Sequence, residues 1–131
     1  MNTTFTPDPH TRDARIQAIR DTFEHGGGTF TRAAKPVNVT GKYVVGGVVP
    51  SVIVDAREQT LDVLADKLDQ FIVQHAPGRT RENYIGTWHH EGKIHFDVVE
   101  LYSSRGVAEE IGRERGEIAI FDGTTFEDIT L

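Results

Sequence analysis

The side chains best suited to chemistry in this sequence lie close together, between residues 84 and 99. His90, His95 and Asp97 offer two imidazoles and a carboxylate, which is a donor set used in facial metal sites. His95 and Asp97 could instead form an acid/base pair, in which the carboxylate fixes the tautomer of the imidazole. Either use requires these side chains to lie on one face of the same pair of strands.

Several features favour a protein that is not an enzyme. A metal site usually draws ligands from more than one element, no further histidine is clearly placed to join this group, and Lys93 would oppose a cation. His95 and Asp97 are two residues apart on a strand, so their Cβ atoms lie about 6–7 Å apart, which is long for a direct hydrogen bond. The sequence has no identifiable nucleophile and no Gly-x-Ser-x-Gly, His-Glu-x-x-His or Walker motif. We therefore predict no catalytic residue, no metal site and no cofactor.

A predicted hairpin positions these residues. Glu91-Gly92 has the chemistry of a two-residue turn, because glycine tolerates positive φ at the second position. The turn sets Trp88 opposite His95, and directly opposed residues share a face of the sheet. The face predicted to join the core carries Ile85, Thr87, His89, Ile94, Phe96 and Val98. The opposite face, which we call the Trp88 face, carries the candidate binding residues Tyr84, Trp88, His90, Lys93, His95 and Asp97.

Apolar periodicity outside the hairpin predicts the helices. A helix over about residues 11–25 has a narrow apolar stripe of Ile16, Ile19 and Phe23, and it stops at the glycines of residues 26–28. A second helix begins after Thr60, ends near residue 76 and buries an unbroken stripe, which consists of Leu61, Leu64, Ala65, Leu68, Phe71 and Ile72. A third, short helix follows a cap at Ser103 or Ser104, with Val107, Ala108 and Ile111 on its inner side.

The remaining segments predict strands and loops. Residues 29–38 read as a loop or irregular edge strand. Residues 42–47 and 51–55 are rich in β-branched residues, and we predict two paired strands covered on both faces. Strands over 117–121 and 126–131 close the chain. The order α-ββα-ββα-ββ predicts an α+β fold, a mostly antiparallel sheet with helices packed on one face. We expect residues 1–131 to form a single domain, in which residues 1–10 are a flexible arm.

Composition excludes several classes of protein. The 131-residue chain has no cysteine, so it has no disulfide framework and no thiolate site. A net charge of −6 argues against binding to a nucleic acid backbone. No apolar run reaches the roughly 20 residues of a membrane span, and the first residues lack the features of a signal peptide. These observations predict a cytoplasmic protein.

Two passages carry a resemblance to a known group. Residues 43–55 read YVVGGVVPSVIVD, and residues 108–122 read AEEIGRERGEIAIFD. Over about residues 41–131 the chain resembles small uncharacterised proteins of actinobacterial phages, prophages and plasmids. The resemblance implies a cytoplasmic accessory protein of a mobile element, active in host takeover or counter-defence. It carries over no functional residue.

Two functional hypotheses follow. The first is a small binding protein that uses the Trp88 face to associate with a protein partner or with a second copy of itself. The alternative is a small-molecule or nucleotide-binding protein, or an enzyme, whose site lies near Gly46, Asp55, His95 and Asp97. Gly46-Gly47 fits either a ligand close to the backbone or, more simply, a bulge or the close packing of a helix over the strand.

Overall fold

The computed structural model describes residues 9–75 and 83–131, so most of the predicted arm over residues 1–10 lies outside the described residues. The helices are α1 (Pro9–His25), α2 (Leu61–Gln74) and α3 (Arg105–Glu114). The strands are β1 (Gly27–Phe30), β2 (Tyr43–Val45), β3 (Val52–Asp55), β4 (Tyr84–His90), β5 (Lys93–Tyr102), β6 (Ala119–Asp122) and β7 (Glu127–Thr130). The predicted α+β class is confirmed. One strand, β1, begins within the glycines predicted to stop the first helix and ends in the segment predicted as a loop or irregular edge strand.

All strand pairs are antiparallel, and β5 organises the sheet. The order is β1-β4-β5-β2-β6-β7, and β3 also pairs with β5. β4 follows one side of β5, while β3 and then β2 share the other side. The predicted hairpin between residues 42–47 and 51–55 is therefore wrong, because β2 and β3 both pair with β5 and not with each other. β2 also ends earlier than predicted, because Gly47 has a φ of +80° and turns the chain away.

β3 differs most from its prediction. We expected a central strand covered on both faces, but β5 is its only strand partner among the described residues. Ile53 is 55% exposed, and Val52 is also exposed. Only Val54 of this strand packs against the main core. The apolar run is therefore an open edge of the sheet.

The main core lies between the sheet and α2. The predicted stripe of α2 is confirmed: its buried residues are Leu64, Ala65, Leu68, Phe71 and Ile72. They pack on the predicted core face of the hairpin, where Ile85, Ile94, Phe96 and Val98 are buried. Thr60 caps the helix by accepting a hydrogen bond from the Val63 amide. His75 follows its last turn, and its ring contacts Phe71 with centroids 4.7 Å apart.

α1 buries most of the predicted stripe, because Ile19 is fully buried and Ile16 packs against the main core, but Phe23 stays at its margin. Ala18, Ile19 and Thr22 are buried, whereas Phe23 is 37% exposed and only partly covered by the ring of His89. Small residues at 18 and 22 let the helix approach the sheet closely. The Thr22 hydroxyl reaches the Thr87 hydroxyl of β4 at 2.6 Å.

Ion pairs join α1 to α2 along their contact. Arg12 donates to Asp62 and Asp66, at 3.1 and 2.8 Å, in an exposed position. Arg15 is buried and donates to Asp69 at 3.1 Å. These pairs hold α1 against α2 in the rotation that buries Ala18, Ile19 and Thr22 and leaves Phe23 at the margin.

α3 covers the second half of the sheet, formed by β2, β6, β7 and the end of β5. Ser104 caps α3, and Ala108 is fully buried against Val45 and Ile120. Val107, predicted to face inward, is 45% exposed. On the opposite side of the sheet, Tyr84 joins a small cluster whose buried members are Val39, Val44 and Val99. Within the described ranges, no helix combines the length and the apolar character needed to cross a membrane.

Candidate binding surface

The hairpin of β4 and β5 has the predicted turn and register. Glu91 and Gly92 both have positive φ, +50° and +76°, as a type I′ turn requires. Trp88 is paired with His95, and His90 with Lys93. Side chains therefore alternate between the buried core face and the Trp88 face as predicted.

Three aromatic rings group at the centre of the Trp88 face. The indole of Trp88 stacks on the imidazole of His90, with centroids 4.7 Å apart and planes 7° from parallel. It also contacts His95 of β5, at 4.9 Å with a tilt of 48°. Trp88 nevertheless remains 46% exposed. A large apolar ring is thus held in place by its neighbours while part of its surface meets solvent.

The neighbouring strands leave this ring group open. Gly27 of β1 is paired with Trp88 and carries no side chain that could cover the indole. A Cβ at Gly27 would lie 2.6 Å from the Thr87 carbonyl oxygen, so close pairing of β1 with β4 needs a glycine here. On the other side, Ile53 of β3 is paired with His95 and extends the exposed apolar area.

Charges of both signs border the rings near the turn. Asp55 is paired with Lys93 on the Trp88 face, and the Arg57 guanidinium lies 3.5 Å from the Asp55 carboxylate. Glu91 lies 3.4 Å from the imidazole of His90. The border therefore has no single sign of charge, which suits a partner with mixed charge better than a polyanion.

Two of the six predicted binding residues lie apart from the rings. Tyr84 is paired with Val99 at the far end of the hairpin, where it packs into the small cluster. Asp97 accepts a hydrogen bond from the Ser51 hydroxyl. The structure thus brings together Trp88, His90, His95 and Lys93.

Gly46 and Gly47 are packed against charged side chains that follow α3. A Cβ at Gly46 would lie 2.8 Å from the Glu117 carboxylate, and Arg115 donates to the Gly46 carbonyl at 3.1 Å. Arg115 also forms an ion pair with the buried Glu100. Partial burial, together with the nearby charge of Asp97, raises the pKa of Glu117. These contacts favour close packing over a ligand at the two glycines, although the packed side chains follow α3 and do not belong to it.

The four residues of the alternative site do not converge. Gly46 lies beside Asp97, with 4.0 Å between a Cβ at Gly46 and the Asp97 carboxylate carbon. Asp55 is paired with Lys93, four residues along β5 from Asp97, which corresponds to about 13 Å. The ring of His95 packs on Trp88. Across residues 9–75 and 83–131, no three His, Asp or Glu side chains are grouped so that they could hold a metal ion.

The contribution of β3 to this surface is not evident from the sequence. Ile53 belongs to it because β3 lies beside β5, in a register that depends on residues about forty positions away. The alternation of Ile53 and Asp55 is the only local signal, and the apolar neighbours Val52 and Val54 obscure it. No protein-family model, curated protein or solved structure matches the chain at a significant level.

Proposed function

We propose that the chain is a non-enzymatic binding protein that docks a protein partner on the Trp88 face. The observation that carries the proposal is the exposed Trp88 indole, stacked on His90 and supported by His95 on a paired strand. Tryptophan contributes more than most residues to protein interfaces, because a large ring can be desolvated at little cost in conformational entropy. Here the two imidazoles further restrict the ring before any partner binds.

The neighbouring residues support a protein partner over other ligands. Ile53 provides an adjoining apolar surface, while Lys93, Arg57, Asp55 and Glu91 provide a polar border of both signs. An apolar centre with a polar rim is the usual anatomy of a protein interface. A small-molecule site would instead need convergent polar groups in a concavity, and Asp55 and Asp97 are too far apart to converge.

The proposal is tested by partner capture with matched variants. Immobilised intact protein, W88A and F126A are each incubated with the same cell lysate, and retained proteins are quantified. Phe126 is the control because it is another exposed aromatic residue, 70% exposed, on the β6–β7 turn at the opposite end of the sheet order. We expect a protein retained by the wild type and by F126A, and retention at least tenfold lower with W88A, since an interface tryptophan is commonly worth more than about 2 kcal/mol.

Two measurements make the result decisive. Far-UV circular dichroism and urea unfolding should show that W88A is folded, because the side chain that is removed is half exposed. The retained protein should also bind purified wild type directly and shift the emission of the single tryptophan. Equal retention of a direct binder by W88A and the wild type would refute the proposal.

We further propose the cellular setting implied by the resemblance described above. A cytoplasmic accessory protein of a mobile element would act by binding a host protein, and this is consistent with a small chain whose open surface is suited to docking. The identity of the partner that W88A fails to retain tests this setting directly.

A further inference from the structure

The backbone of β3 presents unused hydrogen-bonding groups at the edge of the sheet. The Ala56 amide donates to the Gly92 carbonyl, which makes residues 56 and 92 a hydrogen-bonded pair beside β5. Because such pairs alternate along an antiparallel ladder, Val54 and Val52 also bond to β5. The N–H and C=O groups of Ile53 therefore point away from β5. No other residue of the described ranges forms a backbone hydrogen bond to Ile53.

The other outer strands of the sheet are protected, whereas β3 is not. The outer side of β1 is covered, because the Val37 amide donates to the Thr29 carbonyl and Phe30 bridges to Pro36. β7 carries Glu127 and Asp128, which disfavour pairing with another acidic strand. β3 reads Val-Ile-Val before its first charge at Asp55. An exposed apolar edge of this kind is a template for another strand.

We propose that β3 pairs antiparallel with β3 of a second copy of the chain, and so joins the β1-β4-β5-β3 sheets of two copies into one continuous sheet. The proposal goes beyond the binding function of the Trp88 face, because it uses the backbone of β3 and not the aromatic rings. We expect β3 of a second copy to bind this edge, because the strand is complementary to itself in one antiparallel register.

That register places Ile53 opposite Ile53 of the second copy. The outward N–H and C=O groups of the two isoleucines then bond reciprocally, and Asp55 lies opposite Ser51, where the next outward groups meet. In the proposed register, the two-fold axis that relates the two copies passes through Ile53. If it passed through Val54 instead, Ile53 would lie opposite the Asp55 carboxylate. The Ile53 register is therefore favoured, because it pairs apolar with apolar and keeps the Asp55 carboxylate away from an apolar side chain.

The pairing has a consequence for the Trp88 face. Opposed residues in a ladder share a face, so the two Ile53 side chains meet on the side of the sheet that carries both Trp88 faces. Each buries apolar surface that is exposed in the single chain. A dimer built this way presents two copies of the binding surface in the same direction.

The first experiment measures the mass of the intact protein by sedimentation equilibrium over a wide concentration range, for the wild type, I53P and I53T. Proline at 53 removes only an N–H that points outward, so the β3–β5 ladder is kept. Threonine keeps the N–H and the β-branched shape. We expect wild type and I53T to dimerise, and I53P to raise the dissociation constant at least about tenfold through loss of the reciprocal bonds. A wild type that is monomeric throughout would overturn the proposal, as would I53P that dimerises like the wild type.

I53K provides a second variant should I53P fail to fold. A lysine at this exposed position meets no packing constraint in the single chain, but two lysines would face each other across the paired edge. We expect I53K to be folded and monomeric. A folded I53K that dimerises as tightly as wild type would equally refute the pairing.

The absence of cysteine from the chain allows the register to be tested by cross-linking. In I53C the two Cα atoms would lie about 5.5 Å apart, within the range that a disulfide spans. V73C is the control, because Val73 is exposed on α2 and away from the edge. Under mild oxidation we expect I53C to form covalent dimers much faster than V73C, and equal rates would contradict the register.

Ile53 borders the Trp88 face, but variants of Trp88 distinguish this pairing from the proposed partner binding. W88A should dimerise like the wild type, because Trp88 makes no contact across the β3 edge. A monomeric wild type would leave the docking role of Trp88 intact, and loss of that role would leave the dimer intact.

Discussion

The hydrogen-bonded hydroxyls of Thr22 on α1 and Thr87 on β4 allow a direct test of how α1 is attached to the hairpin. Thr22 and Thr87 are both buried, and their Oγ1 atoms are 2.6 Å apart. The Thr22 hydroxyl also donates to the Ala18 carbonyl at 2.8 Å. Because a hydroxyl has a single hydrogen, Thr87 must be the donor between the two threonines. The pair is therefore directional, and its two members are not equivalent.

Valine substitutions should reveal this direction. T87V removes one hydrogen bond but leaves Thr22 bonded to Ala18, so we expect a loss of about 0.5–1.5 kcal/mol in the free energy of unfolding. T22V leaves the Thr87 hydroxyl buried with no acceptor, which should cost roughly 1–3 kcal/mol. The double variant has no buried hydroxyl that lacks a hydrogen-bond partner. Its loss should be smaller than the sum of the single losses by roughly 1–2 kcal/mol.

Urea unfolding, followed by far-UV circular dichroism at one low protein concentration, measures the free energy of unfolding of the wild type, T22V, T87V and the double variant. A fixed concentration is needed because association of two copies would add to the apparent stability. Valine keeps the β-branched shape of threonine, so packing changes little. Strictly additive losses, or a larger loss for T87V than for T22V, would refute the assigned direction of the hydrogen bond.

Three further predictions concern the turn, the carboxylate next to Gly46 and a helix cap. G92A places a Cβ at a positive φ and should destabilise the fold by about 1–2 kcal/mol in urea unfolding; a neutral result would contradict the type I′ turn. Burial and the charge of Asp97 raise the pKa of Glu117, so the native state holds this proton more tightly and loses stability as the pH rises above the usual glutamate range. E117Q should therefore match the wild type at pH 4 and melt at a higher temperature at pH 7, and the same difference at both values would exclude this cause. S104A removes the acceptor of the Val107 amide and should cost about 0.5–2 kcal/mol, and an unchanged unfolding midpoint would argue against the cap.

Local patterns were sufficient to predict the elements whose structure is determined locally. The Glu91-Gly92 turn fixes its own geometry, and the alternation of the two strands around it then sets the register. α2 was predicted correctly because its apolar stripe matches the helical period over its whole length. The centre of the Trp88 face follows from these two facts, since the turn sets Trp88 beside His95 and α2 occupies the opposite face.

Features that depend on distant partners were not predictable in this way. Gly27 and Gly28 have little strand preference, and they form β1 with Thr29 and Phe30 because β4 offers a ladder. The valines and isoleucine of β3 would suit a central strand equally well. Whether such a strand is covered depends on where β2 pairs, and no local pattern encodes that choice.

The residues of the binding surface also divide into those that local patterns predict and those that depend on long-range pairing. Tyr84 shares its strand face with Trp88, as alternation requires, but the curl of the sheet carries it under the small cluster that contains Val39 and Val44. Ile53 joins the surface through long-range pairing alone. The apolar stripe of α1 correctly indicated Ile16 and Ile19, but Phe23 stays exposed in the rotation that also brings Arg15 to Asp69 of α2.

The central position of β5 has a consequence for the order in which the protein matures on the ribosome. β2, β3 and β4 all find their ladder partner in residues 93–102, and none of the three pairs with another of the three. While those residues are still in the exit tunnel, β2, β3 and β4 lack the strand that they share, although β4 can already pair with β1. Release of β5 would therefore join the three strands in a single late step.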